Sequence, residues 1–211
     1  MTRISLIALG AFAIMAGAIC LLVLVPQTML RHVEAPPQLK PYTPQQLAGR
    51  ESYIANGCVY CHSQQVRDPA FTTDVDRGWG SRATVPADYV YDRPHLLGTM
   101  RTGPDLINVG QRIPDMDWHL IHLYQPRALV EWSIMPGYPY LFEEKSPDAV
   151  RPDDHVIRIP GPLAPAGKVV VARPEAIALA AYLISLNRQY PVPASAQARD
   201  RMVTGGANAI H

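Results

Sequence analysis

The sequence predicts a mainly α-helical chain, with one N-terminal transmembrane helix tethering a domain of few helices and long Pro-rich loops. Three observations predict it. Ile4 to Val25 is a run of 22 residues without a charge. Pro makes up 21 of 211 residues, about twice the ordinary usage of about 5%, and proline breaks helix interiors and central strands. Three later segments nevertheless carry helix caps and helical spacing.

Composition removes several classes. Net charge is +1 and charged residues are 18%, so the basic excess of a nucleic-acid binder is missing. At 48% hydrophobic the chain is too apolar to be wholly disordered. Three cysteines cannot build a disulfide framework. The length suits one ordinary domain with attachments.

The anchor, 1–25, has Ser5 as its only clearly polar side chain between Arg3 and Pro26. A helix of that length spans roughly 33 Å, enough for a bilayer core of about 30 Å. A cleaved signal peptide has a shorter apolar region. Lipidation at Cys20 would follow a small residue, but Ile19 stands there; Cys20 reads as a small apolar residue of the span. Arg3 lies on one side, Arg31 and Lys40 on the other, so charge does not orient the span.

Residues 26–43 hold Pro26, Pro36, Pro37 and Pro41 and read as an extended linker. A domain over 44–190 follows, with a disordered tail over 191–211. Thr43-Pro44 opens a helix as N-cap and first helical residue. Leu47, Tyr53 and Ile54 are expected on its buried face, and Asn56-Gly57 ends it. A second helix fits Asp115 to Tyr124, stopped by Pro126. A third fits Pro174 to Asn187, with Ile177, Ala181 and Ile184 as its stripe. Between them, 155–159 and 168–172 are expected to pair as a short hairpin. So few elements need a staple or a cofactor to stay ordered.

Cys58-Val59-Tyr60-Cys61-His62 is the covalent c-type haem attachment pattern. Two thiols three residues apart reach the two vinyl groups of one porphyrin, and the adjacent His lies under the iron. A zinc site would need a second ligand pair, and none exists. Met100, Met116 and Met135 are candidates for the sixth ligand. Met135 is favoured because Pro136 stiffens its loop. A carbonyl near Pro104 is placed to accept from His62 and fix its tautomer. Arg101, Arg112 and Arg127 are candidates to pair with haem propionates. His119 and His122 share a helix face but lack a third ligand, which favours packing.

Further words run in order along the chain: Gly57 to Gln64, Val66-Arg67, Tyr91 to Pro94, Arg101 to Leu106, Val109-Gly110, Trp118-His119, His122-Leu123, Pro126-Arg127 and Met135-Pro136 with Tyr138. Together they resemble subunit II of cbb3-type cytochrome c oxidases, the membrane-anchored monohaem cytochrome c subunit. The resemblance covers roughly 50–141 and implies a cytochrome c-like haem domain. It implies one covalent haem c on Cys58 and Cys61, with His62 and Met135 as axial ligands. It further implies a haem–copper catalytic subunit as partner. A dihaem cytochrome c subunit or a soluble cytochrome c would be the donor. The haem domain would be periplasmic on the bacterial inner membrane. The family often has Met where Gln65 stands, and residues 143–173 find no match. A free-standing anchored carrier explains the haem motif and tether equally well. It does not explain the long loop from Ser63 to Met100, which is expected to pack on a partner subunit. A haem enzyme would need a vacant or labile sixth position.

Overall fold

The structure is a computed structural model that describes residues 2–192. From residue 193 on, the expected tail lies outside the described residues. The chain divides into two units, one of 1–36, 85–90 and 192–211, the other of 37–84 and 91–191.

The first unit is dominated by helix α1, Arg3–Leu30. Thr2 caps it, its side chain accepting from Ser5 N–H. No residue of α1 is buried, and it is long and apolar enough to cross a membrane. The helix does not stop at Pro26, where the sequence expects it to. A π-helical turn over Cys20–Leu24 precedes the proline, and Val25 N–H donates to Cys20 O. Proline has no N–H and its ring crowds the carbonyl four residues back. The wider turn relieves that crowding, so the helix continues.

The second unit holds four helices and a sheet. Helix α2, Pro44–Ala55, carries the full capping box: Thr43 accepts from Gln46 N–H, and the Gln46 side chain accepts from Thr43 N–H. Each helix N-terminus leaves such donors without intrahelical partners. Its buried face agrees with expectation at Tyr53 and differs at Leu47 and Ile54. Gly49, Arg50 and Tyr53 are buried, whereas Leu47 and Ile54 are 46% and 39% exposed. The cause is a close crossing with α5, Pro174–Ser185: a Cβ on Gly49 would lie 1.9 Å from Ala178 O. Only glycine lets the two backbones meet there, and this contact decides which stripe of α2 turns inward.

Helix α3 is one turn, Val109–Arg112, and α4 is Met116–Tyr124 with Asp115 as N-cap. The core face of α5 carries Ala176, Leu179, Ala180 and Leu183, continuing to Leu186. The expected stripe of Ile177, Ala181 and Ile184 is only half-buried. Elements pack on α5 from several sides, and α3 approaches it so closely that a Cβ on Gly110 would lie 1.8 Å from Ile184 O. Each fully buried Leu here contributes about 1.5–3 kcal/mol relative to exposure.

The sheet has order β1-β3-β2, from β1 Phe142–Lys145, β2 His155–Ile157 and β3 Val169–Ala172. The expected hairpin is the β2–β3 pair, antiparallel with Val156 opposite Val171. Strand β1 adds to the other edge of β3, with Phe142 opposite Ala172. Phe142, Ile157, Val170 and Ala172 join the core with Tyr53, Leu120 and Leu179. The long loop after Cys58–His62 folds partly onto its own unit. Gln64 N–H donates to Leu97 O and Thr84 N–H to Val66 O, and Val66 and Trp79 are buried.

Candidate functional site

Helix α2 delivers the Cys58–His62 segment. Gly57 ends the helix at φ +69°, a left-handed position where glycine has no Cβ penalty. A 3-10 turn over Cys58–Tyr60 follows, and His62 N–H donates to Cys58 O at 3.0 Å. Both thiols are free; Cys58 is buried and Cys61 is exposed. Burial pushes the Cys58 thiol up to about 11.

Residues 103–106 lie alongside 61–63. Gly103 N–H donates to Cys61 O at 2.9 Å and Leu106 N–H to Ser63 O at 2.8 Å. Between them, His62 Nδ1 is 2.8 Å from Pro104 O. With the proton assigned to Nδ1, the contact leaves Nε2 with its lone pair free to act as a ligand. Burial holds the His62 imidazole below its usual range, opposed by the Pro104 contact and by Asp105. The ring lies flush against Gly103, where a Cβ would be 2.2 Å from His62 Cε1. The carbonyl partner expected from the sequence is therefore present.

Met135 is half-buried and packs against the core cluster that includes Cys58, Leu120 and Leu123. Its loop is pinned at both ends. Met135 N–H donates to Ser133 Oγ at 3.2 Å, and Tyr138 N–H donates to Leu123 O at 2.8 Å. Tyr138 packs against the same cluster, so the Met135 loop borders the core that holds Cys58. Met116 touches the same cluster from the first turn of α4. Met100 is 58% exposed.

The three arginines part ways. Arg101 is committed inward: its Nε donates to Ser63 Oγ at 2.9 Å and its Nη2 to Gln65 O at 2.6 Å. It also pairs with Asp74. Arg112 donates through Nη2 to Asp105 O, while its buried Nε has no partner. Arg127 is exposed. An orphaned buried donor calls for an acceptor, so Arg112 is the arginine best placed to meet a propionate. His119 is buried and its Nε2 lies 2.9 Å from Ile113 O. His122 stacks on Trp118 at 4.7 Å. Burial pulls His122 down to about 4, helped by His119 and His62. The engaged His119 nitrogen and the stacked His122 ring point to packing. Among the described residues no group of three or more His, Cys, Asp or Glu side chains is placed to hold a metal ion.

Asp105 was not singled out from the sequence. It is fully buried, and it accepts from Ser63 Oγ at 2.6 Å, Gln65 N–H at 2.7 Å and Ile107 N–H at 2.9 Å. Its place directly after Pro104 was the available signal. Burial pushes its carboxyl up, against these donors and Arg101.

The donor set fits a haem. Two free thiols stand beside an imidazole whose second nitrogen is fixed, a thioether loop packs on the cluster that holds Cys58, and a buried guanidinium nitrogen lacks a partner. A family model described as cytochrome C oxidase, mono-heme subunit/FixO matches residues 2–158. The chain belongs to this family. One haem and a place among other oxidase subunits come with FixO membership. No curated protein matches the chain. The matched span of this FixO chain includes α1, the attachment motif, Met135 and the first two strands, and ends before β3.

Proposed function

We propose that this chain is the anchored c-type cytochrome subunit of a cbb3-type haem–copper oxidase. In this reading it passes single electrons to the oxygen-reducing subunit, receiving them from a dihaem subunit or a soluble cytochrome c. The haem is attached to Cys58 and Cys61 and ligated by His62 and Met135 in a cytochrome c-like domain. Bound there, the haem iron supplies one-electron chemistry by alternating between its oxidised and reduced forms. Pro104 O orients His62, and Gly103 leaves room for the ring. The Met135 thioether would be the second protein ligand to the iron and would leave no room for water or substrate, so the chain would carry charge and do no bond chemistry. Arg112 pairs with a propionate through its orphaned nitrogen.

The observation that carries this reading is the His62 Nδ1–Pro104 O contact of 2.8 Å beside two free thiols. A redox dithiol would not need the imidazole fixed in that way. FixO membership favours the oxidase over the free-standing carrier. A tagged full-length chain, drawn gently from membranes, is expected to bring haem c and haem b together and to consume oxygen. Haem c alone, in a detergent that preserves such complexes, would move the assignment to the carrier.

Haem attachment on c-type proteins takes place outside the cytoplasm, which puts the N-terminus inside and the domain in the periplasm. Protease added to intact spheroplasts is expected to remove the haem domain. Its survival until lysis would reverse the orientation.

A further inference from the structure

The ligand set leaves a buried charge group behind His62 without a role. Asp74 and Asp105 are 2% and 0% exposed. Arg101 stands between them, paired with Asp74 and 3.8 Å from Asp105 Oδ2. The Arg101 guanidinium also lies over the Trp79 ring, 5.1 Å from its centroid, and Arg77 lies at the same distance. Burial acts to raise the Asp74 carboxyl, but the Arg101 guanidinium and the Arg67 amide outweigh it and hold the group below the usual range. Taking such groups out of water costs several kcal/mol per ion, and well-packed apolar residues would serve stability as well.

The place of this group gives it a second use. Ser63 follows His62, and Asp105 follows Pro104. The Ser63 Oγ–Asp105 contact at 2.6 Å and the His62 Nδ1–Pro104 O contact at 2.8 Å therefore close one ring of covalent and hydrogen bonds. Arg101 Nε adds a donor to Ser63 Oγ at 2.9 Å, the same atom that bonds Asp105. A shift of Arg101 or Asp105 moves both walls between which the imidazole is held.

We propose that Arg101 and Asp105 are positioning residues for His62, and that their opposite charges set the reduction potential of the haem that His62 holds. This rests on the haem reading above. Partners of a ligating histidine are known to orient it and tune its basicity. A carboxylate behind the ligand favours the more positive, oxidised centre, and a guanidinium favours the reduced one.

The test is a redox titration of the haem c band in the full-length chain, purified in its membrane complex. Arg101→Gln is expected to lower the potential by about tenfold in the equilibrium constant, about 59 mV for one electron. Asp105→Asn is expected to raise it by about threefold or more, and the double variant to return within about threefold of wild type, on the same one-electron scale. Arg101→Lys keeps the charge but loses the fork, and should recover part of the Arg101→Gln shift. If Asp105→Asn fails to fold, Asp74→Asn takes its place with the same expected sign. A purely structural role would lower Tm without opposite shifts in potential. Shifts of one sign, or none, in haem-loaded variants would overturn the inference alone. A wild-type chain without covalent haem would overturn the haem reading and this inference with it.

Discussion

Met135→Ala is expected to turn a haem that ignores carbon monoxide into one that binds it stoichiometrically. Thioether ligation fills the sixth position and raises the potential; alanine leaves that position open. The half-buried Met135 sits on a loop held by Ser133 and Leu123, so neighbouring residues are not free to move in and replace it. Met116→Ala, in the first turn of α4, should leave the spectrum unchanged. The measurement is the reduced spectrum with and without carbon monoxide. A Met135→Ala protein that stays low-spin and inert would hand the ligand role to another side chain.

Gly103→Ala is expected to reduce the fraction of chain carrying a normally ligated haem by about 10–100-fold, the usual penalty for disturbing the partner of a ligating histidine. The added methyl would sit 2.2 Å from His62 Cε1. The ring must swing, and the contact with Pro104 O is lost. Haem content per chain by mass spectrometry, with the low-spin fraction by absorption, reads the effect. Full loading with an unchanged spectrum would mean that the ring is not held by Pro104.

Local signals survived the passage from sequence to structure, and distant ones did not. Thr43, Pro44 and Gly57 mark both ends of α2 because capping is settled within a turn. The inward face of α2 was right at Tyr53 and wrong at Leu47 and Ile54, because its decisive neighbour, Ala178, lies far along the chain. Leu47 and Ile54 looked like core only by spacing. Strand β1, Phe-Glu-Glu-Lys, has almost no apolar alternation and exists because β3 offers an edge.

The turn at Cys58–His62 and its Pro104 partner were legible as words, since their geometry is local or written into short segments. Arg101 looked like a propionate partner by charge, yet it is spent on Asp74, Ser63 and Gln65. Arg112, equally charged, keeps an unmatched nitrogen. No one-dimensional pattern separates those two.

The helix that does not stop at Pro26 also sets a length scale. Its 28 residues amount to about 42 Å at about 1.5 Å per residue, close to the full thickness of a bilayer with its headgroups. A helix that long would emerge at the water boundary rather than inside the lipid. Slack then begins only after Leu30. Only the six residues 31–36 lie between Leu30 and Pro37, where the second unit begins, and they can span at most about 20 Å when fully extended. If the chain carries electrons as proposed, so short a leash would keep it near the membrane; its acceptor would have to stand within that reach and its donor would have to come to it.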